Sequence, residues 1–395
     1  MSHTFFLAPR NDEETARLHK RIGHKLRPAL VEAVEREFDD AVREGSKAGV
    51  ENDESDADIF GWRPTSSGRY KLSLDRCGDE RTTARIQEAV FLLVDEVATA
   101  MPLARLDGIT IGSDYPGLLK AMRRGWDNAP EPDTVSSELG VGVAQTVTVK
   151  RSGMVKGRIV ASSIVSDALI SDDSRQRNWG THVLVRQLAA VAQMEIVEGC
   201  LPGTLLGSAG DGIDGWLYAN VDGAPESYAA SWMAAAFGDS ASIAPGLRGL
   251  LAAVIDRMMT VVPRERLAYR EHGDLERLLG VGLPAIRHVL TVAADLLGHC
   301  ASAGEPLLGR SHVLDDALDR AGLRAWFGVY FDDLARFHRR SGRWDSFEEF
   351  LAFNIHAERL LLAIGMFAWE GPEGLRVEVP PSTDAAALLS GLRER

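Results

Sequence analysis

Cysteine is scarce in this chain: three among 395 residues, Cys77, Cys200 and Cys300, far apart and odd in number. That excludes a disulfide framework using all of them, and no Cys-x-x-Cys pair or Cys/His cluster marks a zinc knuckle. Buried free thiols are the expectation. Long apolar runs are also missing. The most hydrophobic, Leu360-Leu361-Leu362-Ala363-Ile364-Gly365-Met366-Phe367-Ala368-Trp369, is well short of the ~20 residues that cross a bilayer. The start, Met1 to Arg10, has a short apolar patch without a charged n-region or a long h-region, so a leader is not expected. Positive charge is in deficit: 44 Lys plus Arg against 57 Asp plus Glu, a net charge of −13. Global attraction to nucleic acid or anionic lipid is disfavoured. No internal repeat of fixed period is visible. These absences describe a soluble, cytoplasmic chain, and the arginine- and alanine-rich composition is that of a GC-rich bacterial genome.

What is present is enough apolar residue, 45%, for real cores, and enough length for two or three folding units. Asn11 and Glu14 form a capping pair that opens a helix, giving an N-terminal helical segment over 1–48. An acidic, aperiodic linker follows over 49–66. From 67 to 240 strands appear. A helix over 79–100 carries Ile86, Val90, Leu93, Val94 and Val97 on one face, and Leu106 to Gly112 reads as a strand. Val141, Val143, Val147 and Val149 alternate with small or polar residues, Arg151-Ser152-Gly153 turns the chain, and Gly157 to Ala161 returns it as a hairpin. After the Ser171-Asp172-Asp173 cap a helix runs over 174–198 and stops at Gly199. Residues 202–214 are a Gly-rich loop, and a helix returns over 225–237. The region 241–395 reads as helices over 246–261, 274–279, 284–301, 312–340 and 346–367, then a hairpin across Gly371-Pro372-Glu373-Gly374 and a short helix. The fold class expected is α+β: a small antiparallel sheet with one amphipathic helix, plus a mostly helical C-terminal part.

A hairpin feeding an amphipathic helix, then a loop, then a second helix resembles the core of zincin-type metallopeptidases. The stretch that carries the resemblance is Thr181-His182-Val183-Leu184-Val185-Arg186-Gln187-Leu188-Ala189-Ala190-Val191-Ala192. It is similar to the family's His-Glu-x-x-His helix, in which two imidazoles four residues apart grip one zinc and the Glu polarises the metal-bound water. Arg186 stands at the first His, Gln187 at the Glu and Ala190 at the second His. Glu226, opening Glu226-Ser227-Tyr228-Ala229-Ala230, matches the third ligand of the gluzincin branch. The resemblance covers roughly residues 106–240 and implies a zincin-like domain over 67–240. Arginine stays protonated, alanine has no donor atom, and glutamine has no basic form at neutral pH. The resemblance therefore implies a scaffold that has lost its metal: no catalytic residue, no cofactor, and a former cleft free to bind a peptide or protein. It also implies that Arg186 pairs with Glu226 in place of the ion.

Other residues offer rival readings. His182, one turn before Arg186, with Glu226 and a distant histidine such as His356, would make a shifted metal site for a working hydrolase. Lone helix histidines such as His356, near Glu358, and His299, near Cys300, are more often structural. Gly207, Gly210, Gly212 and Gly215 lack the strand and Lys-Ser/Thr of a phosphate cradle, so a loop beside the cleft is expected. Asp211 and Asp214 lack the spacing of a calcium loop. Basic residues crowd two stretches, His19-Lys20-Arg21 through Arg27, and Arg336, His338, Arg339, Arg340 and Arg343. The second stretch with the terminal hairpin offers a DNA-binding alternative, opposed by Asp332, Asp333, Asp345, Glu348 and Glu349.

Overall fold

Valine alternation and a two-residue turn build the first feature of the computed structural model, which describes residues 70–126, 142–207, 210–237, 240–372 and 374–380. The N-terminal helix, the acidic linker, the basic stretch from His19 to Arg27 and the short C-terminal helix lie outside the described residues. Strands β3 (Ala144–Arg151) and β4 (Met154–Ser162) pair antiparallel. Ser152 and Gly153 between them both have positive φ, 49° and 84°, the mirror-image turn whose twist suits a hairpin. With β1 (Lys71–Asp75) and β2 (Leu106–Gly112) they form a sheet ordered β1-β2-β4-β3.

The expectation of an antiparallel sheet is corrected here: the sheet is mixed, because β1 pairs parallel to β2 and β2 parallel to β4. The reason lies in the connections. Parallel neighbours need a crossover of a dozen or more residues. Helix α1 (Glu80–Ala100), capped by the Asp79 carboxylate accepting from the Thr82 N–H at 2.8 Å, supplies that crossover between β1 and β2. The chain between β2 and β4 passes through a short helix α2 (Tyr115–Lys120) and through β3 itself. Strand β3 is left at one edge, antiparallel to everything beside it.

After a short helix α3 (Ser163–Leu169), α4 (Ser174–Cys200) begins at the Asp173 cap and packs against β3 and β4. From His182 onward it is buried on nearly every side, which requires neighbours all round. These come from α1, the sheet and α6 (Gly223–Ala234), which follows α5 (Gly212–Tyr218). Beyond them lie α7 (Ser240–His272), α8 (Leu275–Ala303), α9 (His312–Arg320), α10 (Arg324–Arg339), α11 (Glu348–Leu351) and α12 (Asn354–Ala363). A hairpin of β5 (Phe367–Gly371) and β6 (Gly374–Glu378) closes the described chain. Helix α8 runs straight through Pro284, where the sequence predicts a break; proline deletes one ladder bond but here does not end the helix. The helix expected over 312–340 divides at Gly322, whose φ of 66° is left-handed.

Helix α8 is apolar enough in length and composition to cross a membrane, with a hydropathy of 1.3 over its best window, yet half of that window is buried inside the protein. It packs against both α6 and α7. Its approach to α6 is close: a Cβ on Gly298 would lie 2.1 Å from the Tyr228 carbonyl oxygen. Helix α6 is therefore held between α4 on one side and α8 on the other, and every candidate of the metal motif sits along this three-helix layer.

Candidate functional site

Arg186 projects from α4 across the start of α6. Its Nη2 donates to the Ser227 hydroxyl at 3.2 Å, next door to Glu226, but its carboxylate partner is Asp295 of α8. Nε and Nη2 both donate to Asp295 Oδ1, at 2.9 and 2.6 Å, and the Ser231 hydroxyl donates to the same oxygen at 2.9 Å. The expected Arg186–Glu226 ion pair is thereby replaced. Asp295 comes from 109 residues downstream, so nothing local in the sequence announced it. Gln187 is buried and accepts from the Thr146 hydroxyl of β3 at 3.0 Å, tying helix to edge strand. Ala190 is 3% exposed and shares a core cluster with Ala230 and Met233 of α6. None of these three side chains fits a zinc ion. At Ala190 and Ala230 small residues let the two helices pack closely.

Beside this layer is a cleft of about 330 Å³. One wall is Thr146 and Thr148 of β3, another Gln193, Met194 and Val197 of α4, and the floor is Asp222 to Ala229 of α6. Thr204, Leu205 and Gly207 also line it, while the loop expected over 202–214 ends early, because Gly212 and Gly215 lie in α5. The far wall is aromatic: Phe337, Trp344, Phe347 and Phe350, with Phe337 and Trp344 stacked at 4.8 Å and Tyr218 edge-on to Phe347 at 5.1 Å.

Several polar groups line this space, Glu226 and Gln193 among them. The Glu226 residue is exposed at the cleft, while its carboxyl group is crowded by protein atoms. Burial pushes its carboxyl up to about 7, Arg186 opposes that, and Asp222 and Asp295 add to it. Arg186 thus acts on Glu226 through space without contact. Gln193 is 4% exposed, and its Nε2 has no hydrogen-bond partner among the described residues. A buried amide donor left unmatched costs about 1–3 kcal/mol, and it lines the cleft where a ligand's acceptor would satisfy it.

The remaining candidates are not joined into one site, although His338 also lines the cleft. His182 stands edge-on to His299 of α8 at 5.5 Å, and burial drives its pKa down to about 4, aided by His299 and Arg186. His356 pairs with Asp333 at 3.0 Å and sits edge-on to Tyr330 at 4.7 Å. The described residues thus do not bring His182, Glu226 and His356 together, and no group of three His, Cys, Asp or Glu side chains among them is placed to hold a metal. Asp211 stands just before α5 without a side-chain capping bond, and Asp214 lies in its first turn. All three cysteines are free, with Cys77 and Cys300 buried and Cys200 half-buried. In the C-terminal basic stretch, Arg336 pairs with Asp333, Arg340 with Asp345 and Glu349, and Arg343 donates to the Arg339 carbonyl. His338 is buried between Tyr228 and Trp232.

Asp295, Gln193 and the aromatic wall escaped the sequence reading. Gln193 had a visible signal, the single polar residue in the run Leu188 to Met194. Comparison with family models, with curated proteins and with solved structures gives no match for this chain.

Proposed function

We propose that the protein is a non-catalytic, zincin-like binding protein of the cytoplasm that holds an extended peptide or protein segment in the cleft between β3, α4 and α6. The observation that carries this reading is the buried, unpartnered amide of Gln193 lining an aromatic-walled cleft beside an edge strand. An extended segment offers what each wall needs: a backbone carbonyl for Gln193, main-chain groups for the sheet edge, and an apolar side chain for Phe337 and Trp344. The far end of that edge is already used. The Lys150 N–H donates to the Arg124 carbonyl at 2.7 Å, and Arg124 Nε donates to the Thr148 carbonyl at 3.0 Å. Strand addition therefore falls on the Ala144 end of β3.

The loss of chemistry follows from Arg186, Gln187 and Ala190, each engaged in packing or hydrogen bonds that leave no donor for a metal. Display of random extended peptides against the full chain tests the reading. Enrichment that disappears with Gln193→Leu supports it, and enrichment indifferent to Gln193→Leu removes the cleft as the site. Metal analysis supplies the opposing result: about one tightly held zinc per chain would favour a working hydrolase that uses Glu226 with other ligands.

A further inference from the structure

The cleft between β3, α4 and α6 is one-sided in charge. Among the described residues its titratable lining is Tyr218, Asp222, Glu226 and His338, and none of the lining is lysine or arginine. Burial holds the His338 ring neutral, with its pKa pushed down to about 4. Burial likewise raises the Tyr218 hydroxyl, helped by Asp222 and Glu226, so it carries no charge at neutral pH. What remains is carboxylate. Asp222 accepts from the Gly223 N–H at 2.8 Å. No hydrogen bond or ion pair among the described residues engages Glu226, and Arg186 gives both its Nε and its Nη2 to Asp295 instead.

Aromatic surface lies beside that carboxylate. Tyr218, close enough to feel the Glu226 charge, stands edge-on to Phe347 at 5.1 Å. Tyr218, Phe337 and Phe347 are half-buried, so each keeps part of its surface uncovered where it lines the cleft. Aromatic rings attract cations, more strongly where water is excluded. An aromatic wall that ends at a carboxylate matches a side chain with an aliphatic stem and a charged tip. A wholly apolar side chain would cover Glu226 without answering it, and an acidic one would be repelled by it.

We propose that the cleft selects a basic residue, lysine or arginine, in the segment it binds. Its stem lies on Tyr218, Phe337 and Phe347, and its cationic group pairs with the Glu226 carboxylate. This rests on the cleft being a peptide site in which the Gln193 amide takes a backbone carbonyl, and it adds which side chain enters beside it.

Sequencing the random extended peptides that the full chain enriches, then measuring one of them by fluorescence anisotropy, tests this. The expected pool carries lysine or arginine at one position. A net charge of −13 attracts basic peptides to the whole surface, so the decision falls on a cycle of two changes. Norleucine in place of the basic residue keeps an aliphatic stem and removes the charge, and should weaken binding about tenfold, the scale of one charged hydrogen bond. Glu226→Gln should weaken the basic peptide by the same factor and leave the norleucine peptide unchanged, with the circular dichroism spectrum retained. Gln193→Leu should weaken both. A pool without a basic position, a norleucine peptide that binds as tightly as its parent, or Glu226→Gln weakening both peptides equally would each overturn the selection. If binding in those cases still depends on Gln193, the peptide cleft itself stands. Enrichment indifferent to Gln193→Leu, or no enrichment at all, would remove both.

Discussion

Arg186 on α4 and Asp295 on α8 meet through two hydrogen bonds to one carboxylate oxygen, at 2.9 and 2.6 Å, over the flank of the helix that separates them. Both side chains are mostly buried, 24% and 15% exposed, and the Ser227 and Ser231 hydroxyls of α6 complete the cluster. The pair links the sheet-bound α4 to the core helix α8 across α6.

Removing one partner should therefore cost more than the pair contributes. A lone buried charge is left behind in Asp295→Ala, with an expected loss of about 3 kcal/mol in unfolding free energy. Replacing both groups by apolar side chains, Arg186→Met with Asp295→Leu, should recover most of that loss. Urea unfolding of the single and double variants measures this, and equal losses in both would show that the ion pair is itself the stabilising element.

The α4–α6 contact sets a second expectation. Ala190 and Ala230 are 3% and 1% exposed and lie in one packed core cluster, so an imidazole at position 190 has to displace its neighbours. Ala190→His should destabilise by about 1–3 kcal/mol through overpacking. The same holds for the variant carrying Arg186→His and Gln187→Glu as well. Calorimetric Tm with and without zinc decides the point: a zinc-dependent rise in Tm would show that the layer can open to receive the ion.

Much of this architecture is legible where the signal is local. The Asp173 cap, the valine alternation of β3 and the Ser152-Gly153 turn each act within a few residues, and each appears where the sequence puts it. Sheet order is different. Strand β1 is only five residues, with Leu72 and Leu74 alone marking its apolar face, and its parallel pairing to β2 depends on a crossover that no short window contains. Asp295 is the plainest case of what is hidden. Its role depends on α8 passing behind α6, a packing decision made by the whole helical half of the chain. The charge at position 186 was visible, and so was the need for a carboxylate; which carboxylate answers is a question of tertiary geometry.

Glu226 gives a pH signature in the cleft. Its folded pKa, about 7, lies above the ordinary carboxylate value of 4.5. The folded chain therefore keeps a proton that the unfolded chain sheds between those values, and stability falls as pH rises through that window. Glu226→Gln removes this dependence. The Tm of the variant relative to the parent should rise from pH 4.5 to pH 7 and stay level above. A difference that is flat with pH would mean that Glu226 titrates normally.

The buried histidines act in the opposite direction. His182 and His338 are both held neutral by burial, with pKa values pushed down from 6.5 to about 4. Below pH 6.5 the unfolded chain takes up protons that these rings refuse, so their contribution to stability is complete above 6.5 and is lost as pH falls toward 4. Each ring removes up to about 1.4 kcal/mol per pH unit inside that window. His182 carries the clearer test, because the positive Arg186 and the second ring of His299 beside it both oppose its protonation. In His182→Gln the slope of unfolding free energy between pH 6.5 and 4 should be shallower by that amount, while the slope above pH 7 is unchanged. Denaturant unfolding at half-unit pH steps reads both limbs, and an acid limb as steep as the parent's would show that His182 is protonated in the folded protein.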